Sequence, residues 1–443
     1  MLSPRPSAKP YKDSSGLRKW VFGCFVIFPI FCCGGGVLIS RKWVDVFDQS
    51  RNLDQIVAKA KARGFPFEAK ELAMVPAVAK ADNAKDFVVK LEKDFGPKTG
   101  LKKAIAAFKP EKDREMPKKM LEFLDRARAI TKFKAFDGEK DLDLATYVKY
   151  PEFGTYKDMA RVFAFSAELN ARKGRSREAI KDIEAIRQLA NQLSSSSSEI
   201  GGLVVLAIDA IYGKTALHIA QYIQSRHEDL TPLRQVVTKE LPSTPFENCL
   251  RSEFYVFVAL SRNQKVLQKL SDDENLTSID KLKLVRSGLP SSILWRGQLG
   301  SFIEHFLAID DIFRSDSNLI RSSKRAEAYV TAIPTTVSNY VPILFLSSAT
   351  SGSVAWERNK IRQKIVLRCI DLLQSQPSSG FPNKIEPIAD PFGSGNLVYK
   401  RTKAGFMIYS VGSNGKDDGG PKQNPERKNS DDLGFEYPFV KKS

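Results

Sequence analysis

The stretch Met159 to Leu193, MARVFAFSAELNARKGRSREAIKDIEAIRQLANQL, decides how this chain folds. Ala160, Phe163, Ala164, Ala167 and Ala171 recur every three or four residues, which places them on one face of a helix, and their small size suits close helix packing. Arg172-Lys173-Gly174-Arg175 supplies a stop. Ser176 follows as an expected N-cap, with Glu178 in the first turn where a negative charge suits the helix dipole. Ala179, Ile183, Ile186, Ala190 and Leu193 form a second face at the same spacing. Two antiparallel helices joined by a glycine turn are the simplest way to bury both faces.

Outward from this hairpin, helical spacing dominates. The alanines and the glycine turn make the unit similar to a tetratricopeptide hairpin, although no second copy recurs at a 34-residue period. Toward the N-terminus, Val44 to Ala62, Asn83 to Phe95, Lys102 to Phe108 and Met120 to Ile130 read as helices, with Gly96-Pro97 ending the second. Toward the C-terminus, Ser194 to Ser198 reads as a flexible link. Ile200 to Ile223 reads as a buried helix, because the apolar run is too short to span a membrane before Asp209 interrupts it. Phe254 to Leu270, Ile303 to Ile312 and Ile361 to Leu373 continue the pattern.

The N-terminal segment has a different character. Residues 1–19 are rich in Pro, Ser and charge and read as a disordered cytoplasmic tail. Trp20 to Ser40, WVFGCFVIFPIFCCGGGVLIS, is an uncharged run of 21 residues, roughly 32 Å as a helix at about 1.5 Å per residue. That length crosses a hydrocarbon core, and Pro29 and Gly34 to Gly36 are tolerated in such helices. A cleaved signal peptide is the other reading, but its apolar part is usually shorter and Phe31-Cys32-Cys33-Gly34 is a poor cleavage site. Arg5, Lys9, Lys12, Arg18 and Lys19 precede the span, against Arg41, Lys42 and Arg51 after it, which favours a cytoplasmic N-terminus and an extracytoplasmic remainder at the cell membrane.

Composition is that of a folded protein, 42% apolar and 27% charged, with a net charge of +18. Residues 57–135 carry 20 lysines and arginines against 11 acids. Beside a bilayer such a region suits anionic lipid or an acidic polymer, and the plain alternative is a set of solvated helix faces. Nucleic acid is disfavoured, since no zinc-finger spacing, RNP strand or basic-zipper heptad occurs. Outside the span only Cys249 and Cys369 remain: two buried thiols, small hydrophobes in a core, are the preferred reading, and a disulfide between them in an oxidising compartment is the alternative.

After Gln376 the texture changes. Pro377, Pro382, Pro387 and Pro391 exclude helix, whereas Leu397 to Tyr399 and Phe406 to Tyr409 favour a hairpin turning near Lys403 to Gly405. Phe435 to Tyr437 reads as a third short strand, with Ile361 to Leu373 as the helix that covers the sheet.

Asp390-Pro391-Phe392-Gly393, then Tyr409 to Gly415 and Asp431-Asp432-Leu433, resemble the C-terminal sheet and calcium loop of type II secretion major pseudopilins. The resemblance implies calcium as a candidate ion and Asn414, Asp431 and Asp432 as its ligands. Asn414 replaces the family's aspartate, and the loop to Asp431 is longer. No prepilin-peptidase site precedes the span, so the chain is not itself a pseudopilin. The wider pattern resembles a bacterial family of membrane-anchored helical proteins that end in the same sheet and have no established activity. The residues themselves leave two readings of Gly415 to Gly420: a cation loop, or a polar turn with Gly419-Gly420 supplying positive φ.

No H-E-x-x-H, G-x-S-x-G or C-x-x-C occurs, and His218, His227 and His305 lack ligand spacing. Gly213-Lys214-Thr215 ends like a phosphate loop, but Ile208 stands where that motif needs glycine. The sequence therefore predicts a mainly α protein: tail 1–19, transmembrane helix 20–40, basic helical region 41–150, tetratricopeptide-like helical domain 151–350, and a pseudopilin-like α+β region 351–443. It points to an envelope binding or scaffold protein with a protein partner, and an envelope enzyme whose site meets only in the fold is the alternative.

Overall fold

The computed structural model describes residues 36–68, 71, 78–110, 112–113, 115–136, 151–194, 199–239, 246–262, 291–316, 318–334, 339–375, 380–393, 395–421 and 430–439. Among them the chain is mainly helical with one small antiparallel sheet. In order come α1 (Gly36–Ala62), α2 (Lys85–Phe95), α3 (Leu101–Ala107), α4 (Lys118–Ala127), α5 (Pro151–Arg172), α6 (Ser176–Leu193) and α7 (Glu199–Ser225). Then follow α8 (Thr231–Thr238), α9 (Phe246–Arg262), α10 (Ser291–Arg314), α11 (Leu319–Ala332), α12 (Tyr340–Gln374), β1 (Val398–Arg401), β2 (Phe406–Ser410) and β3 (Leu433–Tyr437).

The expected tail, most of the expected span, residues 195–198 of the serine link and the last residues of the expected Phe254 to Leu270 helix lie outside the described residues. Residues 36–40 belong to α1, which runs without a break into the body.

The hairpin is α5 and α6, and every residue named for its two faces is buried. Gly174 turns it at φ 76°, a left-handed conformation that glycine adopts freely. Ser176 does not cap. It is the first residue of α6, and its hydroxyl bonds Glu228 beyond the end of α7, which draws the hairpin turn toward that helix end.

α7 packs across both hairpin helices and against α12. The expectation that Asp209 ends its apolar run needs correction. Ile200–Ser225 is the one described helix long and apolar enough to cross a membrane, and it is continuous through Asp209. Val204, Val205, Ile208, Tyr212, Ala216, Leu217, Ala220 and Ile223 are all buried among its neighbours, as in the core helix of a globular body.

Two hydrophobic cores form. The larger joins α2 to α8 with the second half of α12 and the sheet, through Ile361, Ile365, Cys369, Phe406, Ile408 and Phe435. The smaller joins α1, α9, α10 and α11 around packed phenylalanines, Phe257 stacked on Phe302 at 3.8 Å and Phe254 edge-on to Phe306 at 5.2 Å. Leu346 of α12 belongs to the smaller core and Ile361 to the larger, so this 35-residue helix, roughly 52 Å long, ties them together. The larger core takes elements from both sides of residue 150 and of residue 350, and the smaller takes helices from both sides of residue 150.

α1 is seated on α10 by backbone contact. A Cβ at Gly297 would lie 2.6 Å from the Val46 carbonyl oxygen, and one at Gly300 would lie 2.9 Å from that of Gln49. Gln49 Nε2 donates to Glu304 at 2.7 Å, and Arg63 holds Asp311 with two bonds of 2.7 and 3.1 Å. The helix that emerges from the expected span is thereby fixed to the body.

The sheet has order β1-β2-β3, with Tyr399 opposite Ile408 and Ile408 opposite Phe435. It packs on α12, as the alternation of the strands and the spacing of Ile361 to Leu373 predict. Cys369 is a buried free thiol in that interface.

Candidate functional site

One stripe of α5 faces away from the hairpin core. Gly154, Lys157, Asp158, Arg161 and Phe165 recur at three- and four-residue intervals and so share a face. On α3, Lys102, Ile105 and Ala106 share another, and Phe108 follows directly. The two stripes enclose an open cleft of about 540 Å³, within the range of about 300–1,000 Å³ typical of small-molecule sites. Its floor is apolar: Ile105 and Phe108 are buried, and the Phe108 and Phe165 rings lie 5.1 Å apart. The loop after α3 is tied down by Arg172, which donates to the carbonyls of Pro110 and Asp113.

The rim is basic. Lys102 and Arg161 are exposed and Lys157 is half-buried, against the single buried carboxylate of Asp158. Arg161 Nη1 donates to Asp158 Oδ1 at 3.3 Å. Burial raises the Asp158 pKa, opposed by the charges of Arg161 and Lys102. Lys157 forms no ion pair among the described residues. The cleft thus has a surplus of positive charge above an aromatic floor. These residues escaped sequence reading because only the buried stripe of α5 was followed. The signal was the adjacent stripe at the same period, in which a glycine and two cations interrupt an otherwise alanine-rich helix.

Asn414, Asp431 and Asp432 do come together at the C-terminal loop. Asp431 Oδ1 accepts from Arg358 Nη2 of α12 at 2.6 Å, and Oδ2 accepts from the Ser413 hydroxyl at 2.8 Å and the Asn414 amide at 3.0 Å. Asp432 accepts from the amides of Asp418 at 3.3 Å and Gly420 at 2.7 Å. Asn414 Oδ1 accepts from the Lys416 amide and its Nδ2 donates to Asp418. Protein donors already satisfy the carboxylates, and a guanidinium stands against Asp431 where a cation would. Among the described residues no set of three acidic, histidine or cysteine side chains is placed to hold a metal. Gly419 and Gly420 have φ of 88° and 122°, as the polar-turn reading requires. Asp390 of the Asp-Pro-Phe-Gly turn is buried and accepts from the Phe392 amide, the Ser410 hydroxyl and the Val411 amide, locking that turn to the end of β2.

Burial pushes the Asp431 carboxyl up, but Ser413, the Asn414 amide and Arg358 outweigh it and hold the pKa below the ordinary value. A lowered carboxylate contributes stability above its unfolded pKa and loses it as pH falls through the folded one. Arg358→Ala is expected to loosen the loop by about 1.5–3 kcal/mol, the range for a hydrogen bond to a charged group. Hydrogen exchange at the Asn414 amide measures this, and millimolar calcium is expected to leave the wild-type thermal midpoint unchanged. Wild-type exchange rates in the variant, or a calcium-dependent midpoint in the wild type, would refute the clamp.

A third polar cluster is internal. Arg187 of α6 donates to Asp209 of α7 at 2.9 Å and lies 4.1 Å over the Tyr212 ring, while Gln363 of α12 donates to the other Asp209 oxygen at 3.1 Å. Arg187 Nε has no hydrogen-bond partner among the described residues. The adjoining space, lined also by Gly213 and Arg362, is of about 10 Å³, no larger than one water. The phosphate-loop lookalike Gly213-Lys214-Thr215 is helix here, and the Thr215 hydroxyl bonds the Ile211 carbonyl. The histidines lie apart: His218 pairs with Glu168 at 3.0 Å, His305 with the Tyr329 hydroxyl at 2.8 Å, and His227 is exposed. Compared with protein-family models, curated proteins and solved structures, the chain matches none of them.

Proposed function

We propose that this is a membrane-anchored binding or scaffold protein of the cell envelope, with Trp20 to Ser40 as its single span, the N-terminus cytoplasmic and the body outside the cytoplasm. The observation that carries the binding role is the cleft between α3 and α5, where cations ring an aromatic floor with one carboxylate and no histidine. Hydrolytic acid–base chemistry calls for a pair of proton-transfer groups within reach of one substrate. Asp158 is the one carboxylate of the cleft lining and is paired with Arg161, and the three histidines sit in three other places. The anchor reading is supported by the uncharged run and its basic N-terminal flank, and α1 offers a rigid connection from such an anchor to the body. A basic face near a bilayer suits an acidic partner protein of the envelope, an acidic polymer or anionic lipid. The resemblance of the last fifth of the chain to the pseudopilin sheet enters this proposal as a relation of architecture, without its calcium.

Reporter fusions after Lys59 and after Ser443 test the topology. Both are expected to be active outside the cytoplasm and silent inside. Cytoplasmic activity of both would overturn the envelope reading.

A further inference from the structure

The α3–α5 cleft combines two recognition chemistries on one surface. Lys102, Lys157 and Arg161 converge on its rim, and Asp158, with Glu92 near enough to act on it, offsets part of this charge. An anion placed among them gains charge-assisted hydrogen bonds from donors carried on two helices. Beneath the rim, Ile105, Phe108 and Phe165 offer apolar surface that a bare inorganic ion would leave uncovered. Gly154 opens one wall, since a Cβ there would meet no atom within 4 Å.

We infer that this cleft binds a small organic anion, a carboxylate or phosphate head carried on an apolar or aromatic body. The head sits among Lys102, Lys157 and Arg161, and the body lies on Phe108 and Phe165. The inference deepens the binding-protein reading and rests on it, but not on which side of a membrane the body lies. The same chemistry is offered by a free aromatic or acyl anion and by the head group of an anionic lipid.

Isothermal titration of the full chain in zwitterionic lipid nanodiscs tests it, with empty discs as the blank. The probes are 1-naphthoate and 1-naphthyl phosphate, with inorganic phosphate and neutral 1-naphthylmethanol as comparators. The two aromatic anions are expected to bind at one site, about tenfold or more tighter than either comparator, a difference of about 1.4 kcal/mol. Gly154→Leu places its Cβ in open space and is expected to abolish binding while leaving the thermal midpoint at or above wild type, because leucine is the better helix former. Lys157→Glu and Arg161→Glu are each expected to weaken the anions about tenfold or more and to leave the neutral alcohol unchanged. Discs doped with phosphatidylglycerol separate the sources: competition with 1-naphthoate assigns the cleft to a lipid head group, and its absence assigns it to a soluble anion. Equal binding by wild type and Gly154→Leu, or equal affinity for the naphthoate and the alcohol, overturns the inference. Failure of the chain to enter the discs overturns the anchor alone, because the titration can then be run on the chain without them.

Discussion

Asp209→Ala is expected to cost about 3–5 kcal/mol of stability, the largest effect of any single substitution considered, because it strands a buried guanidinium. The side chains of Arg187 and Asp209 are 7% and 2% exposed, so water cannot replace the lost partner. Burial raises the Asp209 pKa, opposed by Arg187 and by the hydrogen bonds of Gln363 and Asn359, which shows how far the pair has been taken from solvent. The residue also joins three helices: Arg187 approaches from α6 and Gln363 from α12, with Asp209 on α7 between them. Urea unfolding of the full chain followed by circular dichroism measures the loss. The double replacement Asp209→Leu with Arg187→Met is expected to recover most of it, since apolar groups of similar volume can replace a buried pair at little net cost. A single variant within about 1 kcal/mol of wild type, below the usual penalty for an orphaned buried charge, would show that the pair is not the junction described.

Gly412→Ala is expected to open the C-terminal loop at a cost of about 2–5 kcal/mol. Two penalties combine. Gly412 has φ 68°, where a Cβ costs about 1–2 kcal/mol. That Cβ would also lie 2.8 Å from the Asp431 carbonyl carbon and 2.9 Å from its Oδ2, and forced overpacking adds about 1–3 kcal/mol. The obstructing carbonyl is backbone beside β3, so it cannot swing aside without disturbing the Arg358–Asp431 bond. Gly415→Ala is the control. It has the same φ, yet its Cβ would meet only the Phe392 oxygen at 3.6 Å, so the conformational cost alone applies. Hydrogen exchange at the Asn414 amide and limited proteolysis between Gly412 and Asp431 report the opening. Equal loss in the two variants would remove the close approach as the reason for glycine at 412.

What was legible beforehand follows a rule of distance along the chain. The α5–α6 hairpin, its glycine turn, the helix at Lys85–Phe95 and the β1–β2 hairpin are set by periodicity and turn chemistry within short windows, and they stand where their residues place them. The meeting of Asn414 with Asp431 was foreseen through a resemblance, while the donors that occupy Asp431 were not. Arg358 lies 73 residues earlier, on a helix whose orientation over the sheet no local pattern reports. Ser176 shows the same limit at close range: its hydroxyl fits a cap by type, but the end of α7 offers it Glu228 instead.

The sequence by itself determined the helical class, the hairpin, the short terminal sheet and the helix that covers it, because backbone propensity and the period of apolar residues act over a few turns. Only the tertiary structure decided that α12 ties two cores together, that Arg187 finds Asp209, that Arg358 takes Asp431, and that Lys102 faces Lys157 and Arg161 across an aromatic floor. Each of these depends on which helix faces are brought together. That choice is made by burying surface and satisfying charges among segments far apart in the chain, a balance that no local window contains.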